Sequence, residues 1–213
     1  MAHAAPMPHD AAMHEAVMQP PADRAPGAGV YNEKLGMWVF LASEVMFFTA
    51  LIGSYIILRF AHPEAWAGHP TPDTPLNIPI TAINTFLLIC SSVTMVKAYA
   101  AAQDGLPQEL RRWLVATVVM GAAFVGVQIY EYAELIGHGF VASQGLFGTT
   151  FYTMTGFHGF HVTVGVICMI FVTWKAFRGK YTATDHRGVE VIGLYWHFVD
   201  LVWIILFTIV YLI

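Results

Sequence analysis

"GLYWHFVDLVWIILF" (193–207) suits a lipid bilayer except for one histidine and one aspartate. A hydrocarbon core about 30 Å thick needs ~20 mostly apolar residues at ~1.5 Å each. Such a run extends here over 189–213, so it predicts a membrane-spanning helix. His197 and Asp200 stand three residues apart and share a helical face. Hydrocarbon offers neither a hydrogen bond, and an ionisable group left in it is costly. A span carrying both must therefore turn them towards protein or water.

The same composition extends outward. The 213 residues are 57% hydrophobic and 11% charged, well short of the roughly quarter charged content of soluble domains. Five stretches reach spanning length, at 35–59, 77–101, 111–135, 151–175 and 189–213. They predict an all-α integral membrane bundle of five transmembrane helices. Breaker-rich connections separate them: "HPEAWAGHPTPDTP", "QDGLPQE", "GHGFVASQG" and "RGKYTATDHRG". Arg24, Lys34, Lys97, Arg111, Arg112, Lys175, Arg178, Lys180 and Arg187 fall on one side, and Arg59 alone on the other. Cationic loops stay inside, so the N-terminus is expected inside and the C-terminal Ile213 outside. No internal repeat is evident, which disfavours an inverted-repeat transporter.

Residues 1–30 read as a polar tail, and 31–213 as the membrane domain. The tail is rich in Ala, Pro, Met and His and too poor in apolar residues to order itself. It lacks the apolar core of a signal peptide. His3, His9 and His14 raise copper capture as a reading, but their spacing is irregular. Cys90 and Cys168 lie apart in apolar runs and read as packing residues. No large basic block is present to suggest nucleic acid as a partner.

Within the spans lie Glu44, Glu131, His158, His161, His197 and Asp200. The helical rise places Glu44, His161, His197 and Asp200 ~12–17 Å deep, in one expected midplane layer. Asn84, Gln128, Glu131 and His158 form a second layer nearer the outside. Three readings stand. The residues are interhelical glue, each pair contributing ~1 kcal/mol. Alternatively, His161 and His197 ligate a haem from facing helices. In the third, Glu44, a lone carboxylate in "FLASEVMFFTALIG", handles protons.

Five motifs then add a resemblance. "SEVMFF" (43–48), "INTFLLICSSV" (83–93), "QIYEYAE" (128–134), "GFHGFHVTVG" (156–165) and "YWHFVDLVW" (195–203) resemble subunit III of cytochrome c oxidase. They stand in the family's order, one on each span. The resemblance implies an accessory core subunit of a proton-pumping haem–copper terminal oxidase. In that setting oxygen is reduced to water by a catalytic subunit I, with a copper-bearing subunit II beside it. The chain itself would carry no catalytic, metal or cofactor residue, and haem and copper would reside in the partners. Bound phospholipid and a respiratory supercomplex are further implied associations. The membrane implied is a bacterial plasma membrane, crossed several times. A quinol oxidase subunit III and an independent haem-bearing cytochrome remain the alternatives.

The resemblance also assigns residues. Glu44 matches the family's carbodiimide-reactive carboxylate. His158, His161, His197 and Asp200 match its intramembrane polar residues, and Glu131 matches a glutamate of its fifth-helix motif. Lys175, Arg178 and His186 are the candidate contacts for lipid headgroups. Lys175 stands where an arginine is common, and it offers a phosphate a cation without the bidentate fork. Many members have seven spans; residues 1–30 replace the first two here, which puts the lipid cleft between those two and the rest in question.

Overall fold

The computed structural model describes residues 30–66, 78–143 and 145–212. The expected tail, most of the first connection and Ile213 lie outside the described residues. Five long helices follow one another: α1 (Asn32–Ala61), α2 (Ile78–Gln103), α3 (Pro107–Gly137), α4 (Leu146–Phe177) and α5 (Arg187–Phe207). A 3-10 turn, Pro63–Trp66, follows α1, and α5 winds out through a π turn, Thr208–Leu212. All five helices are long and apolar enough to cross a membrane, as the sequence predicts. Helices suit that medium because they satisfy every interior backbone group within the segment.

The helices outrun the predicted spans by a turn or so, because hydrogen bonding continues past the apolar residues into the flanking polar ones. α3 starts on Pro107, whose missing N–H is no loss in a first turn. α2 and α3 are joined by residues 104–106 alone. There Gly105 adopts φ 67°, and Leu106 N–H bonds the Ala101 carbonyl at 2.9 Å. Gly179 closes α4 similarly, with φ 68° and Lys180 N–H on the Lys175 carbonyl. A left-handed residue at such a cap suits glycine, which has no Cβ to clash.

α2, α3, α4 and α5 form a ring in which each helix packs on the next and α5 closes on α2. α1 lies outside that ring, resting on α5 and α4. Burial follows this order: 56% of the apolar window of α5 is buried, against 6% of that of α1. Leu88, Met95, Leu114, Phe124 and Trp196 form the centre of one core cluster. Phe48, Tyr55, Trp66, Phe151 and Leu206 form another around the far end of α1. The outward surface is large and apolar, with Met46, Phe60, Ile83, Phe86, Phe160 and Phe171 each more than 60% exposed. In a protein bathed by lipid such a surface is the solvent-facing one.

Most intramembrane hydroxyls are satisfied by their own helix. Ser54, Thr85, Thr117, Thr155, Thr163 and Thr173 each donate to the carbonyl four residues back, at 2.7–2.9 Å. The polar groups left over for contacts between helices are few, and they define the site.

Candidate functional site

Glu44 on α1 meets His161 on α4, with Oε2 and Nε2 3.1 Å apart. Their side chains are 17% and 13% exposed, so the pair is half-open rather than sealed. His161 Nδ1 lies 2.7 Å from the Phe157 carbonyl, which can only accept. Nδ1 must therefore carry a proton, and the Nε2 contact needs one proton more. That proton is shared: either the carboxyl donates to a neutral imidazole, or an imidazolium donates to a carboxylate. Phe47, Phe48 and Phe160 ring the imidazole at centroid distances of 5.2–6.2 Å, keeping the pair in apolar surroundings. Tyr195 of α5 donates to the His161 carbonyl at 2.8 Å, tying the third helix to the place.

The ring interior holds the other candidates. His158 is fully buried, its Nε2 donating to the Val199 carbonyl at 3.2 Å. Its ring stacks on Trp203 at 4.7 Å, and Trp203 donates to Thr85 Oγ1 at 2.9 Å. Asn84 donates to the Phe124 carbonyl at 3.2 Å, and Gln128 to the Thr155 carbonyl at 3.1 Å. Glu131 accepts from Thr81. Ser92 of α2 donates to Asp200 Oδ2 at 2.6 Å, while Oδ1 is sealed without a partner. His197 is half-buried and has no hydrogen bond among the described residues.

The expected midplane layer is thus split. Glu44 and His161 come together, whereas Asp200 turns to α2 and His197 meets neither of them. Asn84, Gln128, Glu131 and His158 lie among one another's neighbours but bond hydroxyls and carbonyls, not each other. α5 packs on α1, α2 and α4, and Asp200 takes its partner, Ser92, from α2.

The cationic ends of all five helices gather at one end of the bundle. There Glu190 accepts from Tyr31 at 2.6 Å and from Lys34 at 2.5 Å, latching the start of α1 to α5. Burial and the neighbouring carboxylate push the Tyr31 phenol above its ordinary range. A cleft of about 720 Å³ opens beside this latch, between α1, α4 and the start of α5. Lys175, Arg178, Lys180 and Arg187 line it, with Glu33 and Asp185. His186 does not join Lys175 and Arg178 there; it packs against Tyr99, with ring centroids 5.6 Å apart. A loop residue's direction is not set by helical periodicity, so sequence spacing could not place it.

Sequence reasoning missed two contacts. The Glu190 latch was detectable, since Glu190 is an isolated acid level with Lys34. The other is Trp196, which donates to Ser91 at 2.9 Å and packs closely against Gly121 and Gly165. Gly121 lies outside the five motifs, and Gly165 only closes the stretch 156–165, where nothing marks it for this contact.

Fold and site together define a multi-pass helical membrane protein whose intramembrane polar groups mainly bind its helices to one another. Among the described residues no three or more His, Cys, Asp or Glu gather as a metal ion would need. The pattern of the cytochrome c oxidase subunit III family matches residues 21–213. Cytochrome c oxidase subunit 3 of Thermostichus vulcanus is 41% identical over 179 residues, 84% of this chain and 86% of that protein. The Synechocystis sp. protein of the same name is also 41% identical, over 83% of this chain and 74% of its own. The chain belongs to the cytochrome c oxidase subunit III family.

Proposed function

We propose that the chain is a non-catalytic core subunit that steadies the haem-bearing subunit of a proton-pumping oxidase in a bacterial plasma membrane. Its cationic end would face the cytoplasm and its C-terminus the outside, by the excess of Lys and Arg at one end. The observation that carries the reading is where the motif residues are engaged. Asn84, Gln128, Glu131, His158, Asp200 and Trp196 all bond across helices of this chain. Such groups set how helices pack, as a scaffold requires. Against the haem alternative, which needs His161 and His197, stands the engagement of both His161 nitrogens, by the Phe157 carbonyl and by Glu44.

Two local roles go with this reading. Glu44 and His161, hydrogen-bonded to one another in an apolar but half-open place, suit a proton-handling pair. The cleft lined by Lys175 and Arg178 suits an anionic phospholipid headgroup, with Trp174 beneath Arg178 at 3.7 Å to hold the guanidinium. The donor is read as cytochrome c, in line with the relatives' names. Copper-bearing and haem-bearing subunits complete the assembly, with a supercomplex beyond it.

Co-purification tests the reading. A tagged chain drawn from native membranes in mild detergent should bring a haem–copper subunit with it, and the complex should oxidise reduced cytochrome c. Isolation of the folded chain without any haem-bearing partner overturns the proposal. Oxidation of quinol in place of cytochrome c moves the assignment to a quinol oxidase.

A further inference from the structure

The two halves of α1 are held by different forces. From Phe48 on, the helix is fixed by apolar packing. Phe48 and Tyr55 are buried, and Trp66 of the following turn packs on Tyr55 with ring centroids 5.7 Å apart. Before Phe48 no residue of α1 is fully buried. Met37 and Leu41 lean on the core with part of their surface, while Trp38, Val39 and Phe40 are exposed. This first half depends on polar contacts at its two ends. At one, Glu44 meets His161 at 3.1 Å. At the other, Tyr31 and Lys34 share Glu190 of α5, and Glu33 lies 3.6 Å from Arg187. The Arg187 guanidinium also stands 5.8 Å from the centre of the Tyr31 ring.

The cationic cleft lies beside this same half. Glu33 and Met37 form its α1 wall, facing Val172 and Lys175 of α4 and Val191 of α5. The contacts that close the first turn of α1 on α5 therefore also hold that wall in place. One of them lies within the cleft. Arg187 lines it, and Glu33 offers Arg187 a carboxylate where a phosphate would offer its own oxygens. Asp185 meets the same guanidinium from the loop at 3.2 Å. Glu190 is different, because it holds Tyr31 and Lys34 without lining the cleft. Partly exposed ion pairs with little apolar burial behind them belong to the parts of a fold that open most readily.

We propose that the first half of α1 is a strap along the cleft and that Glu190 is its latch. Release of Tyr31 and Lys34 from Glu190 lets the strap move away from α5, and this step paces the entry and departure of a phospholipid headgroup. The strap pivots where apolar packing begins, at Phe48. A phosphate that reaches Arg187 takes the place of Glu33 and so removes one of the contacts that hold the strap. The inference rests on the headgroup reading of the cleft and adds its regulation. The latch sets the rate of exchange, whereas the cations of the cleft set how much lipid is held.

Exchange kinetics test it. The intact complex, purified with its lipid, is mixed with vesicles of deuterated phosphatidylglycerol, and native mass spectrometry follows replacement of the bound lipid over time. The cleft lipid is the fraction that Lys175→Ala combined with Arg178→Ala loses. Glu190→Gln should replace that fraction about 3–10-fold faster than the parent, with the amount held at equilibrium unchanged. Tyr31→Phe removes one of the two bonds to Glu190 and should fall between. Glu64→Gln, a carboxylate beyond the far end of α1, should exchange as the parent does. Equal rates in Glu190→Gln and the parent overturn the proposal, as does equal acceleration by Glu64→Gln. A loss of bound lipid in Glu190→Gln as large as in the Lys175, Arg178 variant also overturns it, because Glu190 would then belong to the site itself. Unchanged rates beside a normal lipid loss in that double variant sink the strap alone, whereas no loss in the double variant sinks the headgroup reading and the strap with it.

Discussion

Gly121→Ala should break the packing of the last helix, and the structure gives the size of the damage. A Cβ added at Gly121 would sit 2.6 Å from Trp196 Cη2, 2.9 Å from Cζ2 and 3.0 Å from Val166 Cγ2. Carbon atoms rest at about 3.5–4.0 Å, so the indole must retreat by roughly 1 Å. It has little room, because the backbone of Gly165 bounds it as well: a Cβ there would lie 3.0 Å from Trp196 Cζ3. Overpacking of this kind costs about 1–3 kcal/mol. A retreat that breaks the Nε1 bond to Ser91 leaves a buried donor unsatisfied, at about 1–3 kcal/mol more. The gain in helix propensity on replacing glycine by alanine offsets ~1 kcal/mol. The net expectation is a loss of about 1–5 kcal/mol. Unfolding by SDS in mixed micelles, followed by tryptophan fluorescence, reads it directly. Gly126→Ala is the control, since nothing lies within 4 Å of a Cβ there. In the double variant Gly121→Ala with Trp196→Phe the smaller ring removes the clash, so its loss should fall short of the sum of the two singles. Equal stability of Gly121→Ala and the parent, or equal harm from Gly126→Ala, would refute the reasoning.

Glu44→Gln keeps a hydrogen-bonding partner for His161. Assembly and the first catalytic turnovers should be intact, with a modest decline in sustained turnover and no carbodiimide labelling. Complete loss of oxygen reduction in an assembled complex would instead imply direct chemistry. Glu44→Leu leaves the imidazole Nε2 without its partner and should destabilise the α1–α4 contact by about 1–3 kcal/mol, seen as a lower SDS midpoint. Lys175→Ala combined with Arg178→Ala should lower the anionic phospholipid that co-purifies, read by mass spectrometry of the extracted lipid; unchanged lipid content argues against the cleft as a headgroup site. Glu190→Gln should loosen the start of α1, so that amides of residues 32–36 exchange hydrogen up to about tenfold faster, a change of ~1.4 kcal/mol.

The five spans were legible because length and hydropathy alone decide a membrane helix. Depth was legible too, since the rise per residue is fixed: Glu44 and His161 meet as their positions suggest. Direction was not. Asp200 takes its bond from Ser92 of α2 and not from Glu44 or His161, and its position along α5 does not announce which neighbouring helix answers it. The chosen partners were also hidden. Ser92, Thr81 and Thr155 look like many other hydroxyls, and the carbonyls of Phe124 and Val199 have no residue type to announce them. Gly121 and Gly165 matter for the absence of a side chain, which becomes meaningful only once Trp196 is placed opposite.

The hydroxyls that bond back to their own helices carry a consequence for how the chain is made. A segment whose threonines and serines are already satisfied can leave the insertion machinery alone, with no neighbour waiting in the lipid. The groups that cannot manage this are the acids, amides, imidazoles and indoles at Glu44, Asn84, Gln128, His158, Trp196 and Asp200. Glu44 on α1 and Gln128 on α3 would thus wait for α4, and the ring closes only when α5 joins α2. Biogenesis is then most fragile while α2 and α3 have paired and α4 and α5 have still to join, because α1 rests on those two helices alone.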